Sequence, residues 1–403
     1  MEKKYLYLFI LFLLFSEHVI CQPDWYTFGG SIYRNSFYVE DIYPPLILFK
    51  NISIQGVISA IPVIFSDRIV LSYGNILNCL NKDGVSLWIY KTYSPIQDSP
   101  TIVNGTVFFT SSDGYVRALN FSNGKFLWQF YTHERLKCSP AFYKSLVIVN
   151  SPRHIFILNS CDGCLINIVS SPTAISTHLA IYRDIVVYGC WNGYIYAVNI
   201  SKPKLVWKLG TGNLVKDVSI FDGKVFASSY DNNAYCIDIS SGKVLWKSYL
   251  NSSLINTPVV GGGRAIFITE SGKMYCLDVN SGKILWSKEN IYVNCKPIIC
   301  GTLLYYYTFD KLYVCDINNG EEKWNTDLEN IYSICVYGDK IYIISGKNLL
   351  IYSSSKPGII NLILENIKVY GILIGILVVA IILLIIIVSR RRRYIPPPPP
   401  PPP

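Results

Sequence analysis

Residues 271–286 read SGKMYCLDVNSGKILW: a strand-like run to Asp278, a tight Asn-Ser-Gly-Lys turn, and a second strand ending on Trp286. Counted outward from that Trp, Trp88, Trp128, Trp207, Trp246, Trp286 and Trp324 are separated by 40, 79, 39, 40 and 38 residues. The gap of 79 is a double one, with its middle at Asn167, where SCDGCLIN stands in for the SGKILW pattern. One further period before Trp88 falls Phe49, at the end of LILF. The eight landmarks are therefore 49, 88, 128, 167, 207, 246, 286 and 324. A fixed period of this size means a repeat architecture.

Each unit has one layout. Residues 99–128 give SPTIV, NG, TVFFTS, SDG, YVRALN, FSNG and KFLW in succession. Short runs of β-formers separated by Gly, Asn and Asp turns are antiparallel strands joined as hairpins. Four such strands in about 40 residues make a propeller blade. The last unit has three strands and no Trp-ended fourth, while the run from Leu46 to Phe49 is a fourth strand lacking its first three. The fold expected is all-β, an eight-bladed propeller whose last blade is closed by the amino-terminal strand, leaving no open sheet edge. Gly124, Gly242, Gly282 and Gly320 supply the positive φ of the hairpin turns. The landmark Trp residues are expected in the wedge between blades, not in a ligand cage.

The pattern G-x-x-Y-x-x-D-x-x-x-G-K-x-x-W, with W-x-x-F-G-G-x-x-x-R-N at Trp25 to Asn35, resembles the pyrroloquinoline-quinone-type propeller repeats. That superfamily includes quinoprotein alcohol dehydrogenases and the propeller lipoprotein of bacterial outer-membrane assembly. The resemblance runs from Trp25 to about Tyr352 and implies the eight-blade form. It is not to WD40 proteins, because no Trp-Asp dipeptide occurs.

The ends differ from the body. Residues 1–21 read as a secretory signal: Lys3 and Lys4, the apolar run Tyr5 to Phe15, and cleavage before Gln22. The propeller is expected over 22–355 and a linker over 356–368. Val369 to Val388 is 20 residues without a charge, enough for one membrane-spanning helix. Arg390 to Arg393 follow and would stay cytosolic. Residues 389–403 form the tail, ending in Pro396 to Pro403, a polyproline II rod suited to aromatic-lined grooves of SH3, WW or profilin type. Gly371 and Gly375 form a Gly-x-x-x-Gly pair, read either as a helix-dimer contact or as ordinary glycine usage. The topology expected is type I, with the propeller outside the cytosol.

The net charge of +9 is partly terminal. Setting aside Lys3, Lys4, Arg390 to Arg393, Glu2 and Glu17 leaves 30 basic and 25 acidic residues, with no Lys/Arg run to carry nucleic acid. Apolar residues at 51% and aromatics at 14% exclude a disordered chain.

Chemistry is sparse. The dehydrogenases of the superfamily carry adjacent cysteines above the cofactor, and this chain has no Cys-Cys dipeptide. Their calcium and base carboxylates sit in insertions, for which units of 38–40 residues leave little room. The body holds three histidines, His133, His154 and His178, none at metal-ligand spacing, and all read as surface or core residues. No Gly-x-Ser-x-Gly, phosphate loop or metal set stands out. No catalytic, cofactor-binding or metal residue is therefore assigned, and no cofactor is expected.

Twelve cysteines less Cys21 leave 11, an odd number for an exported chain. Cys161 and Cys164 flank an Asp-Gly turn in the unit that lost its Trp, where a local disulfide could replace the aromatic anchor. Cys295 and Cys300 bracket a strand, and their pairing is left open. Cys236 and Cys276 share one repeat position and read as small core residues. Five acceptor sequons, at Asn51, Asn104, Asn120, Asn199 and Asn251, fit an exported body, with Asn120 and Asn199 on one rim. The function expected is a non-catalytic scaffold binding a protein, peptide or glycan, with a tail that recruits polyproline-binding partners. The alternatives are a divergent quinoprotein oxidoreductase and a luminal sensor dimerising through Gly371 and Gly375.

Overall fold

The protein, here as a computed structural model, is described at residues 27, 29–31, 34–56, 58, 60–291 and 296–354. The chain divides into two units, Met1–Ser355 and Lys356–Pro403, and these residues all belong to the first. The expected leader, linker, membrane span with Gly371 and Gly375, and tail with Pro396 and Pro403 lie outside the described residues. So do Trp25, Cys21 and Cys295. Among the described residues, no helix is long and apolar enough to cross a membrane.

The described strands form eight sheets, seven of four strands and one of five. The strands innermost in each blade are Val63–Phe65, Thr101–Val103, Ala141–Tyr143, Ala180–Tyr182, Val215–Phe221, Val259–Gly261, Ile298–Cys300 and Ile331–Tyr337. These surround the axis, and blades 1 to 8 take their numbers in that order. The strands at the rim are Ser86–Lys91, Phe126–Tyr131, Leu165–Ser170, Lys204–Gly210, Val244–Tyr249, Ile284–Lys288, Glu322–Asp327 and, for blade 8, Leu46–Ser53. Leu46–Ser53 pairs antiparallel with Asn348–Ser354, so the two ends of the propeller share blade 8 as expected. Inner strands are fully buried on both faces, whereas rim strands alternate, as strands with one wet face must.

Neighbouring blades are joined by a recurring clasp. The indole Nε1 of Trp88, Trp128, Trp207, Trp246 and Trp286 donates to a main-chain carbonyl of the next blade, on Phe121, Ser160, Ile239, Val279 and Ile317, at 2.7–2.9 Å. Each ring lies beneath the turn glycine of that next blade. Gly242, with φ of +72°, would place a Cβ 2.6 Å from Cγ of Trp207, so neither the backbone nor the space admits a side chain. Across its own sheet each Trp faces a small residue: Cys79, Ala118, Ala197, Cys236 and Cys276 respectively.

Blade 3 breaks the clasp at three places together. Asn167 takes the Trp position, Ile157 faces it, and Pro203 of blade 4 stands four residues after Asn199, where other turns carry Gly. The space of the missing ring is thus filled from two sides. Asn167→Trp alone should lower the unfolding free energy by about 1–3 kcal/mol through overpacking. Adding Ile157→Ala and Pro203→Gly should recover most of that loss. Urea midpoints of the single and triple variants test the pairing, and a harmless single variant would show that the gap is open.

The eighth landmark needs correction. In every other rim strand a bulge precedes the Trp, and in blade 8 the bulged residue is Phe49, so that Lys50 faces Ile351 in the Trp position. Phe49 is 61% exposed, with Lys340 over its ring. Lys50 pairs with Asp83 of blade 1 at 3.2 Å, and Ile52 covers Gly84 in place of an indole. A bulge adds one residue without changing the pairing, which is why counting by period lands one place short.

The segment before blade 8 enters the central channel. Thr27 Oγ1 lies 2.8 Å from Thr101 Oγ1 of blade 2. Arg34, fully buried, donates from Nε to Leu179 O (3.1 Å), from Nη1 to Thr27 Oγ1 (3.0 Å) and from Nη2 to Ser139 O (3.4 Å). Asn35 O and Ser36 O then accept from Val260 N and Ile299 N of blades 6 and 7. Phe37–Tyr38 runs parallel to Ile298–Cys300, the fifth strand of that sheet. Phe37 packs edge-on against Phe221 and fills the space over Gly261. Asp41 accepts from Thr302 N at 2.6 Å, and Tyr305 OH donates to Ile42 O, so the segment leaves at the opposite face.

Candidate functional site

The pairing across each blade sets one row from axis to rim, such as Thr101–Phe108–Ala118–Trp128. The residue two places before the inner end of each row stands at the mouth of the channel. Around the ring these are Ile61, Ser99, Ser139, His178, Asp217, Thr257, Lys296 and Ser333. Counting back 27–29 residues from the first seven rim landmarks after Phe49 finds all but Ser333 of them in the sequence. That signal was available and the ring was missed.

His178 is the centre of the polar arc. Its Nε2 lies 2.9 Å from Asp98 Oδ2 and its Nδ1 3.1 Å from Asp217 Oδ2. Both ring nitrogens therefore serve carboxylates, and the ring is an imidazolium donating twice. Burial opposes that charge, but Asp217 and Asp98 outweigh it and raise the His178 pKa to about 9. Burial also opposes the charge on Asp98, yet His178 and the amides of Ser99 (2.7 Å) and Ser139 (3.0 Å) bring its pKa down to about 2. Asp217, against burial, is likewise held low by His178, by Thr257 Oγ1 at 2.5 Å and by Val218 N at 3.0 Å. The network ties the entrance loops of blades 2 to 6 into one unit. Each carboxylate oxygen facing His178 is spoken for, so the cluster orients and holds; it presents no unengaged base.

Beside this arc the mouth opens as a cavity of about 710 Å3, within the usual range for ligand sites. Its walls divide by character. Ile58, Ile61, Tyr307, Phe309, Ile331 and Tyr332 form an apolar side on blades 7, 8 and 1, with Phe309 and Tyr332 58% and 54% exposed. Lys216, Lys296, Asn256, Thr257 and the His178–Asp217 pair form the polar side. Ser36 of the threaded segment lies at its base.

The other residues singled out from sequence do not converge here. His133 is exposed against Tyr131, and His154 pairs with Glu134. Cys161 and Cys164 are exposed free thiols on the blade 3 turn, whose Gly163 covers Trp128. Cys236 and Cys276 are buried, and burial pushes each thiol up to about 12. Cys300 is a buried free thiol. Asn51, Asn104 and Asn251 are exposed, and Asn120 and Asn199 half-buried, on turns whose next amides their Oδ1 atoms accept.

A family model described as outer membrane protein assembly factor BamB matches residues 50–185 and 191–299, more than half of the chain. The chain belongs to this BamB family of PQQ-type propellers. BamB of Yersinia pestis is 24% identical over 185 residues, 41% of this chain and 47% of that protein. The chain thus spans about half the length of that curated relative. The crystal structure of BamB from Moraxella catarrhalis superposes with a TM-score of 0.67 at 15% identity, covering 76% of this chain and 99% of the other. A europium-containing methanol dehydrogenase superposes with a TM-score of 0.67 at 12% identity, covering 81% and 90%. At these identities the two structures show a shared fold alone.

The dehydrogenase branch raises the question of a quinone. The described residues do not fit it. Asp217 is the one acid lining the mouth and is already engaged twice. Among the described residues no group of three His, Cys, Asp or Glu could hold a metal ion. The channel below is filled by Ser36 to Tyr38.

Proposed function

We propose that this chain is a protein-binding scaffold: a type I membrane protein whose extracytosolic propeller engages a protein, peptide or glycan at the channel mouth. Its polyproline tail, Pro396 to Pro403, would recruit an SH3, WW or profilin-type partner in the cytosol. The observation that carries the reading is the pairing of an open, half-apolar cavity with a polar cluster whose charges are already matched. Such a mouth can bind without performing proton transfer. Membership of a family described as an assembly factor supports the same direction.

The test is photo-cross-linking in cells expressing the full chain. A cross-linker in place of Tyr332 should give a discrete protein or glycoprotein adduct that the same probe at exposed Lys82, on the opposite face, does not. No adduct from the mouth would count against the scaffold. Deleting 396–403 should leave that adduct intact while abolishing capture of polyproline-binding domains.

A second reading, a PQQ-dependent oxidoreductase, draws on the fold shared with methanol dehydrogenase. Pyrroloquinoline quinone with calcium, at a hundred times any relevant Kd, would add about 2.7 kcal/mol of stability to a true binder. The scaffold reading expects no change in Tm and no bound chromophore. A clear rise with colour would reinstate the enzyme.

A further inference from the structure

We propose that the mouth cavity binds the carboxyl-terminal end of a polypeptide, its last side chains on the apolar wall and its carboxylate between Lys216 and Lys296. The proposal deepens the scaffold reading and rests on it.

Three observations carry it. The first is the shape of the site. Below the mouth the channel is closed: Asn35 and Ser36 bond to blades 6 and 7, Phe37 lies between blades 5 and 6, and Tyr38 continues along blade 7. A blind cavity receives an end of a chain, whereas a through-going groove receives its middle.

The second is charge. The cavity is lined by Lys216, Lys296 and His178 against Asp217 alone. Asp217 is matched by His178 at 3.1 Å and Thr257 at 2.5 Å, and the second carboxylate on His178, Asp98, receives the amides of Ser99 and Ser139. Lys216 is exposed on blade 5 and Lys296 on blade 7, flanking Asn256 and Thr257 of blade 6. A backbone amine end would meet like charge there, and a carboxylate end would meet two ammonium groups.

The third is the opposite wall. Tyr332 and Phe309 expose 54% and 58% of their surface beside Tyr307 and Ile331. In a propeller whose other inner-channel side chains are buried, large apolar residues left open at a concave site mark a contact surface. The wall lies on blades 7 and 8, next to Lys296, so an apolar final side chain and the terminal carboxylate would be served by adjacent elements. Capture of a terminal carboxylate is an established way of reading peptides.

The experiment uses purified full-length chain and fluorescein-labelled hexapeptides. Their last two positions are varied over Leu, Ile, Val, Phe, Tyr and Trp, each made as the free acid and as the amide. Fluorescence anisotropy should show binding of free acids with aromatic or branched last residues, and amide twins at least about tenfold weaker. Lys296→Gln and Lys216→Gln should each weaken the acids several-fold and leave the amides unchanged, with Tm as wild type. Raised salt should weaken the acids more than the amides. Acids and amides binding alike would overturn the carboxylate reading, and so would acids indifferent to both lysine substitutions, or no binding by any acid. Phenylacetate displacing the peptides as effectively as an unlabelled hexapeptide would reassign the cavity to small acids and overturn it too. In each case a surviving cross-link from position 332 leaves the scaffold reading standing, and its absence removes both.

Discussion

Replacing Arg34 by Met should remove about 3–5 kcal/mol of stability, because a buried hydrogen-bonded cation leaves its partners stranded. The side chain is fully buried and its three kinds of nitrogen reach Leu179 O, Thr27 Oγ1 and Ser139 O. Those acceptors belong to blade 4, to the threaded segment itself and to blade 3. Met fills part of the volume and answers none of them, and each buried acceptor left without a donor costs about 1–3 kcal/mol. Lys is no remedy: a single ammonium cannot span three acceptors set out for a planar fork. Arg34→Lys should therefore lose most of what Arg34→Met loses. Urea unfolding of the full chain measures it, as a fall in midpoint at unchanged slope. A loss below about 1 kcal/mol for Arg34→Met would mean that the segment rides in the channel without holding it together.

The same segment shows where sequence reading ran short. The pattern from Trp25 to Asn35 pointed to the repeat family, but nothing in the order of its residues says that it enters the axis. That depends on Gly261 lacking a side chain where Phe37 lies, a contact between residues 224 positions apart. The blades were readable because their signals are local: turn glycines, β-branched runs and a Trp at each period. Closure of blade 8 followed from the two incomplete units at the ends. Phe49 was misplaced by one because a bulge shifts the count and leaves no mark in composition. His178 was read as a surface or core residue, since its sequence neighbours include no ligand or acid. Its partners Asp98 and Asp217 lie 80 and 39 residues away, at one and the same level of the propeller. The period that found the blades would have found this ring too, had it been applied to the residues before the inner strands instead of to the Trp alone.

His178 should also give the fold a marked dependence on alkaline pH. Its pKa stands at about 9 against an ordinary value near 6.5, and a raised folded-state pKa means that folding holds the proton more tightly. The stabilisation is complete below the unfolded value and is lost as pH rises through about 9. That displacement corresponds to about 3 kcal/mol. Asp98 describes the other side of the same ion pair. Its pKa, down from 3.8 to about 2, gives stabilisation that is present above about 4 and lost as pH falls through about 2. The two are views of one interaction and do not add. Between pH 4 and 6.5 the cluster contributes its full share. Other groups titrate near pH 9–10, so the clean quantity is the difference between the full-length protein and His178→Gln. At pH 6 that variant leaves Asp98 and Asp217 buried without their shared cation, and it should be less stable by about 3–5 kcal/mol. The gap should narrow by about 3 kcal/mol by pH 10, where the native imidazole is neutral as well. Adding Asp217→Asn to His178→Gln should restore part of the loss at pH 6, because one of the two unmatched carboxylates is gone. A gap that stays constant from pH 6 to 10 would show that His178 is held as a neutral ring, and that the entrance loops of blades 2 to 6 are joined by shape, without the ion pairs.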